Sequence, residues 1–189
     1  MSNPQNKGRW VLLGMVLFFS APVVIVLLMH YLNVRPTGES HGILMAEATP
    51  IVLSAQHKDA DNDQKLWQEK WSLVYVADEC GQVCQDKIHD MRQIHASLEK
   101  DIPRVQRILF VKQALSESLA KQYPDMVTMT DATMVNSVQQ QIADKTKATE
   151  PNTYLVDPYG NLVMRFPASL PAKDIRKDLV KLLKYSWAA

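Results

Sequence analysis

The stretch Trp71-Ser-Leu-Val-Tyr-Val-Ala-Asp-Glu-Cys-Gly-Gln-Val-Cys84 decides the fold. Its first part, Trp71–Ala77, is rich in residues that favour β-structure and contains no turn residue, which predicts a central strand covered on both faces. Cys80 follows in a loop, and from Cys84 onward apolar residues recur at helical spacing. The sequence therefore places two thiols between a buried strand and a helix of about four turns.

The spacing of Cys80 and Cys84 allows the two thiols to form a disulfide or to hold a soft metal ion. A helix amino terminus favours the thiolate, whereas the nearby carboxylates of Asp78, Glu79 and Asp86 oppose it, so a strongly oxidising pair is not expected. A mild reductant, a transient metal holder and a structural disulfide all stay open. For nucleophilic attack we select Cys80, the more exposed position in this geometry, with Cys84 resolving the mixed disulfide.

Strand and helix patterns alternate along the rest of the domain, which predicts an α/β fold whose mixed sheet is flanked by helices. We expect Val74 and Val76 to be buried in the central strand. The other expected elements are an edge segment or short hairpin at 43–53, strands at 105–111, 126–129, 154–156 and 162–166, a turn at 157–160, a helix around Leu115 and Leu119, a helix carrying Val135, Val138 and Ile142 behind a Thr130 or Asp131 cap, and a final helix carrying Ile175, Leu179, Leu182 and Leu183.

An apolar stretch near the amino terminus predicts a membrane anchor. Residues 10–32 contain no Asp, Glu, Lys or Arg, and a helix of this length extends roughly 34 Å, enough to span a bilayer. A cleaved signal peptide is the alternative, but its apolar region is usually only about 7 to 15 residues long. Its one candidate cleavage site, Ala46-Glu-Ala48, lies too far downstream. An uncleaved anchor is therefore favoured.

The charges that flank the apolar stretch predict its orientation. Lys7 and Arg9 precede it, which favours a cytoplasmic amino terminus. The expected organisation is a cytoplasmic segment at 1–9, a single transmembrane anchor at 10–32, a linker at 33–42 and an outward-facing domain at 43–189. In a bacterium this domain would lie in the periplasm, attached to the inner membrane.

Composition excludes several classes of function. The chain has 189 residues, with 21 Lys and Arg against 20 Asp and Glu, and this balance leaves no basic stripe for a nucleic-acid partner. The sequence contains no glycine-rich phosphate loop, HExxH motif or GxSxG motif. The cysteine pair is thus the one constellation that indicates chemistry.

The order of these elements resembles the thioredoxin-like superfamily. Within it, the single anchor and the CxxxC pair are similar to those of the SCO/SenC copper chaperones, which help to assemble cytochrome c oxidase. The segments His41-Gly-Ile-Leu, Trp71-Ser-Leu-Val-Tyr-Val and Arg104-Val-Gln-Arg107 look more like the short bacterial SCO-related proteins linked with cytochrome c oxidase assembly. The likeness covers roughly residues 40–185.

The resemblance implies roles for individual residues. Cys80 and Cys84 match the two thiolates with which SCO proteins bind Cu(I), and Pro151 resembles the cis-proline that faces the thiols in thioredoxin-like folds. The third copper ligand of SCO proteins is a histidine, and Thr149 stands at that position here. No histidine follows His95. The resemblance therefore implies the fold and the pathway more firmly than it implies copper as a cofactor.

Other residues are weaker candidates for ligands. His89 and His95 are not placed to join the thiols, and His41 is more simply a surface histidine. The methionines Met126, Met129 and Met134 are interpreted as core residues, and the aromatics Trp67, Trp71 and Tyr75 as packing residues.

The leading hypothesis is a membrane-anchored assembly factor. It would keep the cysteines of a cytochrome c oxidase copper site reduced, or present copper to them, with an oxidase subunit or copper-delivery proteins as partners. A general thiol-disulfide oxidoreductase is the first alternative, and a non-catalytic interaction module with a structural disulfide is the second. Whether the protein is an enzyme stays open at this point.

Overall fold

The computed structural model describes residues 4–32, 40–53, 66–67, 70–146 and 152–186. The chain divides into two compact units, Met1–Glu39 and Ser40–Ala189. The first unit contains one long helix, and the second contains the sheet and the cysteine pair.

The first unit is dominated by helix α1, Pro4–Tyr31. Its apolar part, Gly8–Tyr31, is by length and composition able to cross a membrane, as the sequence predicts. Large side chains such as Phe18 and Phe19 are exposed along it. Burying such a surface in lipid removes the cost of exposing it to water. Pro22 lies inside the helix, where a membrane helix tolerates it.

The second unit contains a mixed sheet flanked by helices. In the described ranges the sheet has six strands in the order β1-β6-β5-β2-β3-β4. The strands are β1 Ile43–Pro50, β2 Trp71–Ala77, β3 Val105–Val111, β4 Val127–Met129, β5 Thr153–Val156 and β6 Asn161–Phe166. The helices are α2 Gln82–Ala96, α3 Glu117–Gln122, α4 Ala132–Thr146 and α5 Ala172–Tyr185, with a 3-10 helix at Glu99–Arg104.

Strand β2 lies inside the sheet, parallel to β3 on one side and antiparallel to β5 on the other. Two apolar clusters cover the two faces of the sheet: side chains of α2 and α5 pack on one face, and those of α4 on the other. The predicted α/β class and the predicted antiparallel terminal hairpin are therefore confirmed.

The expected burial of β2 holds for Val74 but not fully for Val76. Val74 is 0% exposed, whereas Val76 is only partly buried. The difference arises because Val76 lies near the carboxyl end of β2, where the strand lines a groove.

Local signals located several boundaries correctly. Asp131 rather than Thr130 caps α4, because its Oδ1 accepts a hydrogen bond from the N–H of Met134 at 2.9 Å. The turn between β5 and β6 has Gly160 at φ +85°, a conformation that glycine adopts without strain. A Cβ on residue 160 would lie 2.6 Å from Trp67 Nε1. Strand β1 is an edge strand paired with β6, one of the two structures expected for 43–53.

The chain enters the second unit through a clamp, which we define as residues 40–42 and the carboxylate of Asp178 in α5. Gly42 and Asp178 are buried, whereas residues 40 and 41 are exposed. The N–H of Gly42 donates to Asp178 Oδ2 at 2.7 Å, and the hydroxyl of Ser40 donates to the same oxygen at 3.3 Å. A Cβ on residue 42 would lie 2.5 Å from the ring of Phe166. These hydrogen bonds attach the first residues of the second unit to α5.

An ion pair between β3 and the segment just before β4 was not predicted. The side chain of Arg107 is fully buried in β3, and its Nη2 lies 2.5 Å from Oδ1 of Asp125, whose side chain is 57% exposed. Burial raises the pKa of Asp125, but the hydrogen bond and charge of Arg107 outweigh it, and the pKa is lowered overall. Asp125 is thus the partner that allows an arginine inside the core.

We expect Val74→Asp to abolish the cooperative thermal melt, because a carboxylate at this fully buried position costs more than about 4 kcal/mol. Val76→Asp should be milder, since its side chain can reach the groove. Circular dichroism melts of both variants in the full-length protein in detergent test this. A cooperative melt for Val74→Asp would contradict the assignment of β2 as the central strand.

We expect Asp125→Asn to lower the free energy of unfolding by roughly 3 kcal/mol at neutral pH, because it leaves Arg107 as an unpaired buried charge. The folded-state pKa of Asp125 is lowered, so its contribution is present above the unfolded-state pKa and is lost as the pH falls through the folded-state value. Urea unfolding between pH 7 and pH 3 should therefore show a steeper acid decline for the parent protein than for Asp125→Asn. Equal declines would argue against this role.

Candidate functional site

The two cysteines form a disulfide at the junction of β2 and α2. The Cα atoms of Cys80 and Cys84 are 5.0 Å apart. Cys80 is partly exposed in the loop, whereas Cys84 is 3% exposed in the first turn of α2. The structure thus brings the predicted pair together and leaves the first cysteine as the more accessible one. A catalytic role for either thiol stays a prediction.

Local backbone structure explains why the pair lies at a helix amino terminus. Gly81 caps α2 in an extended conformation, and its carbonyl accepts the first helical hydrogen bond from the N–H of Gln85 at 3.0 Å. The N–H groups of the first turn have no partner within the helix, and they carry the positive end of the helix dipole. This end of α2 stabilises negative charge on a neighbouring sulfur.

A groove of about 780 Å³ lies beside the disulfide. Its walls come from the carboxyl end of β2, the loop after β3, the start of α2, the outer part of α4 and the start of β5. The polar side chains that line it include Tyr75, Lys112, Gln113, Gln139, Asn152 and Tyr154. Its volume lies within the range of ligand-binding pockets, about 300 to 1,000 Å³, and is far larger than a single ion needs.

A lysine that the sequence analysis missed offsets part of the negative charge beside the thiols. Nζ of Lys112 lies 2.5 Å from Oδ1 of Asp78, and the backbone N–H of Lys112 donates to the carbonyl of Asp78 at 3.2 Å. Parallel pairing of β2 with β3 places both residues at the same edge of the sheet. The region before Cys80 therefore carries less net negative charge than Asp78 and Glu79 alone would give it.

Two tyrosines are among the residues that line the groove. Tyr75 on β2 and Tyr154 on β5 are almost fully buried, and both line it. Burial raises the pKa of Tyr75 above its ordinary value of 10.0, and Tyr154 raises it further. The hydroxyl of Tyr75 accordingly keeps its proton at neutral pH. The interpretation of Tyr75 as a packing residue is confirmed, since it belongs to an apolar cluster on one face of the sheet, and it also lines the groove.

The described histidines of the second unit, His41, His89 and His95, do not line the groove beside the thiols. His41 is near Asp174, with Nε2 3.9 Å from Oδ1. His89 is exposed and hydrogen-bonds to Gln93, and His95 contacts the carbonyl of Val105 at 2.9 Å. None of the three lines the groove.

Among the described residues, the side chains beside the disulfide do not complete a copper site of the SCO type. Two thiolates suit Cu(I), but within the described ranges no third ligand from histidine or methionine joins them. Met126 belongs to the apolar cluster on one face of the sheet, as expected, and Met129 and Met134 pack against the cluster on the other face. Thr149 and Pro151, the two positions singled out by the family resemblance, lie outside the described residues.

Comparison with known proteins supports the fold. A family model described as "Transmembrane-like, thioredoxin-like, C-terminal domain" matches residues 71–186. No curated protein matches the sequence.

Solved structures with the same fold include three Sco proteins. Apo Sco1 from Thermus thermophilus aligns with a TM-score of 0.55 at 15% identity, over 79% of this chain and 99% of that one. Copper-bound ScoI from Arabidopsis thaliana aligns at 0.52 and 15%, over 65% and 89%. Copper-bound yeast Sco1 aligns at 0.50 and 18%, over 65% and 84%. At these identities the likeness concerns the fold, and it confirms the predicted thioredoxin-like architecture.

Proposed function

Because the chain belongs to the family of transmembrane-like, thioredoxin-like, C-terminal domains, we propose that it is a membrane-anchored thiol-disulfide reductant. Its substrate is the cysteine pair of a cytochrome c oxidase copper site, which must be reduced before it can take up metal. One observation carries this proposal: the disulfide at the start of α2 joins a partly exposed cysteine, Cys80, to a buried one, Cys84, which lines the groove.

The reaction is a two-electron exchange between two cysteine pairs. The Cys80 thiolate attacks the substrate disulfide, a Cys80–substrate S–S bond forms, and one substrate sulfur leaves and takes up a proton. The Cys84 thiolate then attacks Cys80, closes the Cys80–Cys84 disulfide and releases the second substrate thiol. A separate dithiol donor must return the pair to its reduced form.

Fold and sequence together support the choice of substrate. Proteins with this fold include Sco proteins, some of them solved with copper bound. The sequence resembles the short bacterial SCO-related proteins linked with cytochrome c oxidase assembly. A reductant needs only the two thiols that the site supplies, whereas copper delivery of the SCO type needs a third ligand.

The proposed location follows from α1 and its flanking charges. With residues 10–32 in the bacterial inner membrane and Lys7 and Arg9 in the cytoplasm, residues 43–189 would form a periplasmic domain. Disulfides form in the periplasm, so the cysteines of a copper site there can become oxidised and would need a reductant.

Electron transfer to an oxidised substrate tests the proposal. Reduced full-length protein in detergent is mixed with the soluble copper domain of an oxidase subunit whose cysteines are oxidised. We expect one substrate disulfide to be reduced per protein. Cys80→Ser should abolish transfer, and Cys84→Ser should trap a mixed disulfide, since resolution needs the second thiol. Mass spectrometry under acid quench counts each species.

Two controls separate the alternatives. Insulin with its native disulfides, used in place of the copper domain, should be reduced at least about tenfold more slowly. A general oxidoreductase would reduce the disulfides of both substrates at similar rates. An interaction module would transfer no electrons. If the protein were only an interaction module, cells carrying the Cys80→Ser/Cys84→Ser variant would still assemble the oxidase.

Copper presentation is the second candidate, favoured by the two close sulfurs and by the copper-bound structures of the same fold. A Cu(I) titration of the reduced protein against a competing chelator, beside Cys80→Ser/Cys84→Ser, decides between the two. We expect the chelator to remove the metal, because the described residues offer two ligands only. Stoichiometric Cu(I) retained by the parent and lost in the double variant would favour presentation.

A further inference from the structure

The buried thiol poses a physical problem for thiol exchange. Cys84 must become a thiolate to resolve the mixed disulfide, yet it is 3% exposed. It packs in an apolar cluster that includes Trp71, Leu73, Ile88, Met91 and Leu155. A thiolate in such surroundings is costly unless a hydrogen-bond donor reaches it.

The helix amino terminus serves the two cysteines unequally. Cys80 precedes α2 and is partly exposed, so free N–H groups of the first turn and water can both stabilise its charge. Cys84 belongs to that first turn and is shielded from water by the cluster. It therefore gains most from a side-chain donor.

Tyr75 is the polar side chain best placed to be this donor. It shares the apolar cluster with Cys84 and lines the same groove. It is 2% exposed, and among the described residues none hydrogen-bonds to its hydroxyl. Burial raises its pKa, so the O–H remains available to donate.

The other polar side chains near the groove or in the cluster are less suitable donors. The indole N–H of Trp71 donates to Ser186 Oγ at 3.1 Å. Tyr123 lies under the guanidinium of Arg92, 5.6 Å from the ring centroid, and does not line the groove. Tyr154 lines the groove but belongs to the cluster on the opposite face of the sheet.

We propose that the Tyr75 hydroxyl donates a hydrogen bond to the Cys84 sulfur when the disulfide is open, and thereby sets the rate at which Cys84 resolves the mixed disulfide. This rests on the thiol exchange proposed above. In the step itself, the Cys84 thiolate attacks the Cys80 sulfur, the Cys80–substrate bond breaks, and the substrate sulfur leaves with the electron pair and takes a proton from water. Tyr75 keeps its own proton throughout.

The test isolates the resolution step with glutathione disulfide as the only oxidant. Reduced full-length protein in detergent is mixed with it between pH 5 and pH 9. Acid quench and mass spectrometry count the Cys80–glutathione species and the closed disulfide over time. This measures attack by Cys80 and resolution by Cys84 as separate rates.

Tyr75→Phe removes only the hydroxyl. We expect resolution at pH 7 to fall about threefold, because an approximately tenfold loss of thiolate is partly offset by the greater nucleophilicity of a more basic sulfur. The pH midpoint of resolution should move upward, while attack by Cys80 keeps its rate. Tyr123→Phe, a buried tyrosine of the same cluster away from the groove, is the matched control and should change neither rate.

Three results would overturn the proposal. The first is an unchanged pH midpoint in Tyr75→Phe. The second is a slowing that is equal at every pH, which indicates a structural effect. The third is a shift in Tyr154→Phe with none in Tyr75→Phe. Since no oxidase substrate is present, failure of the copper-domain assay alone would refute the proposed substrate and leave the role of Tyr75 standing.

Discussion

The pairing of β2 on both of its edges is the constraint on which the site depends. Leu73 and Val74 are completely buried, and the strand is held by parallel bonds to β3 and antiparallel bonds to β5. A strand fixed in this way delivers its next residues to a defined point at the edge of the sheet. Cys80 and the start of α2 lie at this point, so the site inherits the rigidity of the core.

The two sulfurs of one disulfide lie in different electrostatic surroundings. Cys80 is partly exposed in the loop before α2, two residues after Asp78 of the Asp78–Lys112 ion pair, whereas Cys84 is 3% exposed in an apolar cluster. Thiol exchange needs such asymmetry, because one thiol must attack the substrate disulfide first and the other must react only afterwards, with the mixed disulfide. The fold provides this asymmetry by placing Cys80 in the loop and Cys84 in the first turn of α2, with three residues between them.

Features that depend on neighbours in sequence could be predicted, and those that depend on register could not. The strand Trp71–Ala77, the cap Asp131 and the turn glycine Gly160 each have a local signal, and the disulfide follows from short spacing. By contrast, the partners of Lys112 and Arg107 come from distant segments that only the folded chain brings together. The sequence pattern of β2 does not show at which residue the helices stop covering the strand. The partial exposure of Val76 could therefore not be predicted.

The clamp at residues 40–42 determines how mechanical load would enter the second unit. A pull on the chain before Ser40 acts first on the hydrogen bonds to Asp178, and then on β1, the edge strand paired with β6. Strand β2 lies two strands beyond β6 and is joined to it through β5. Tension from a membrane tether would thus act on α5 and one edge of the sheet before it acts on β2.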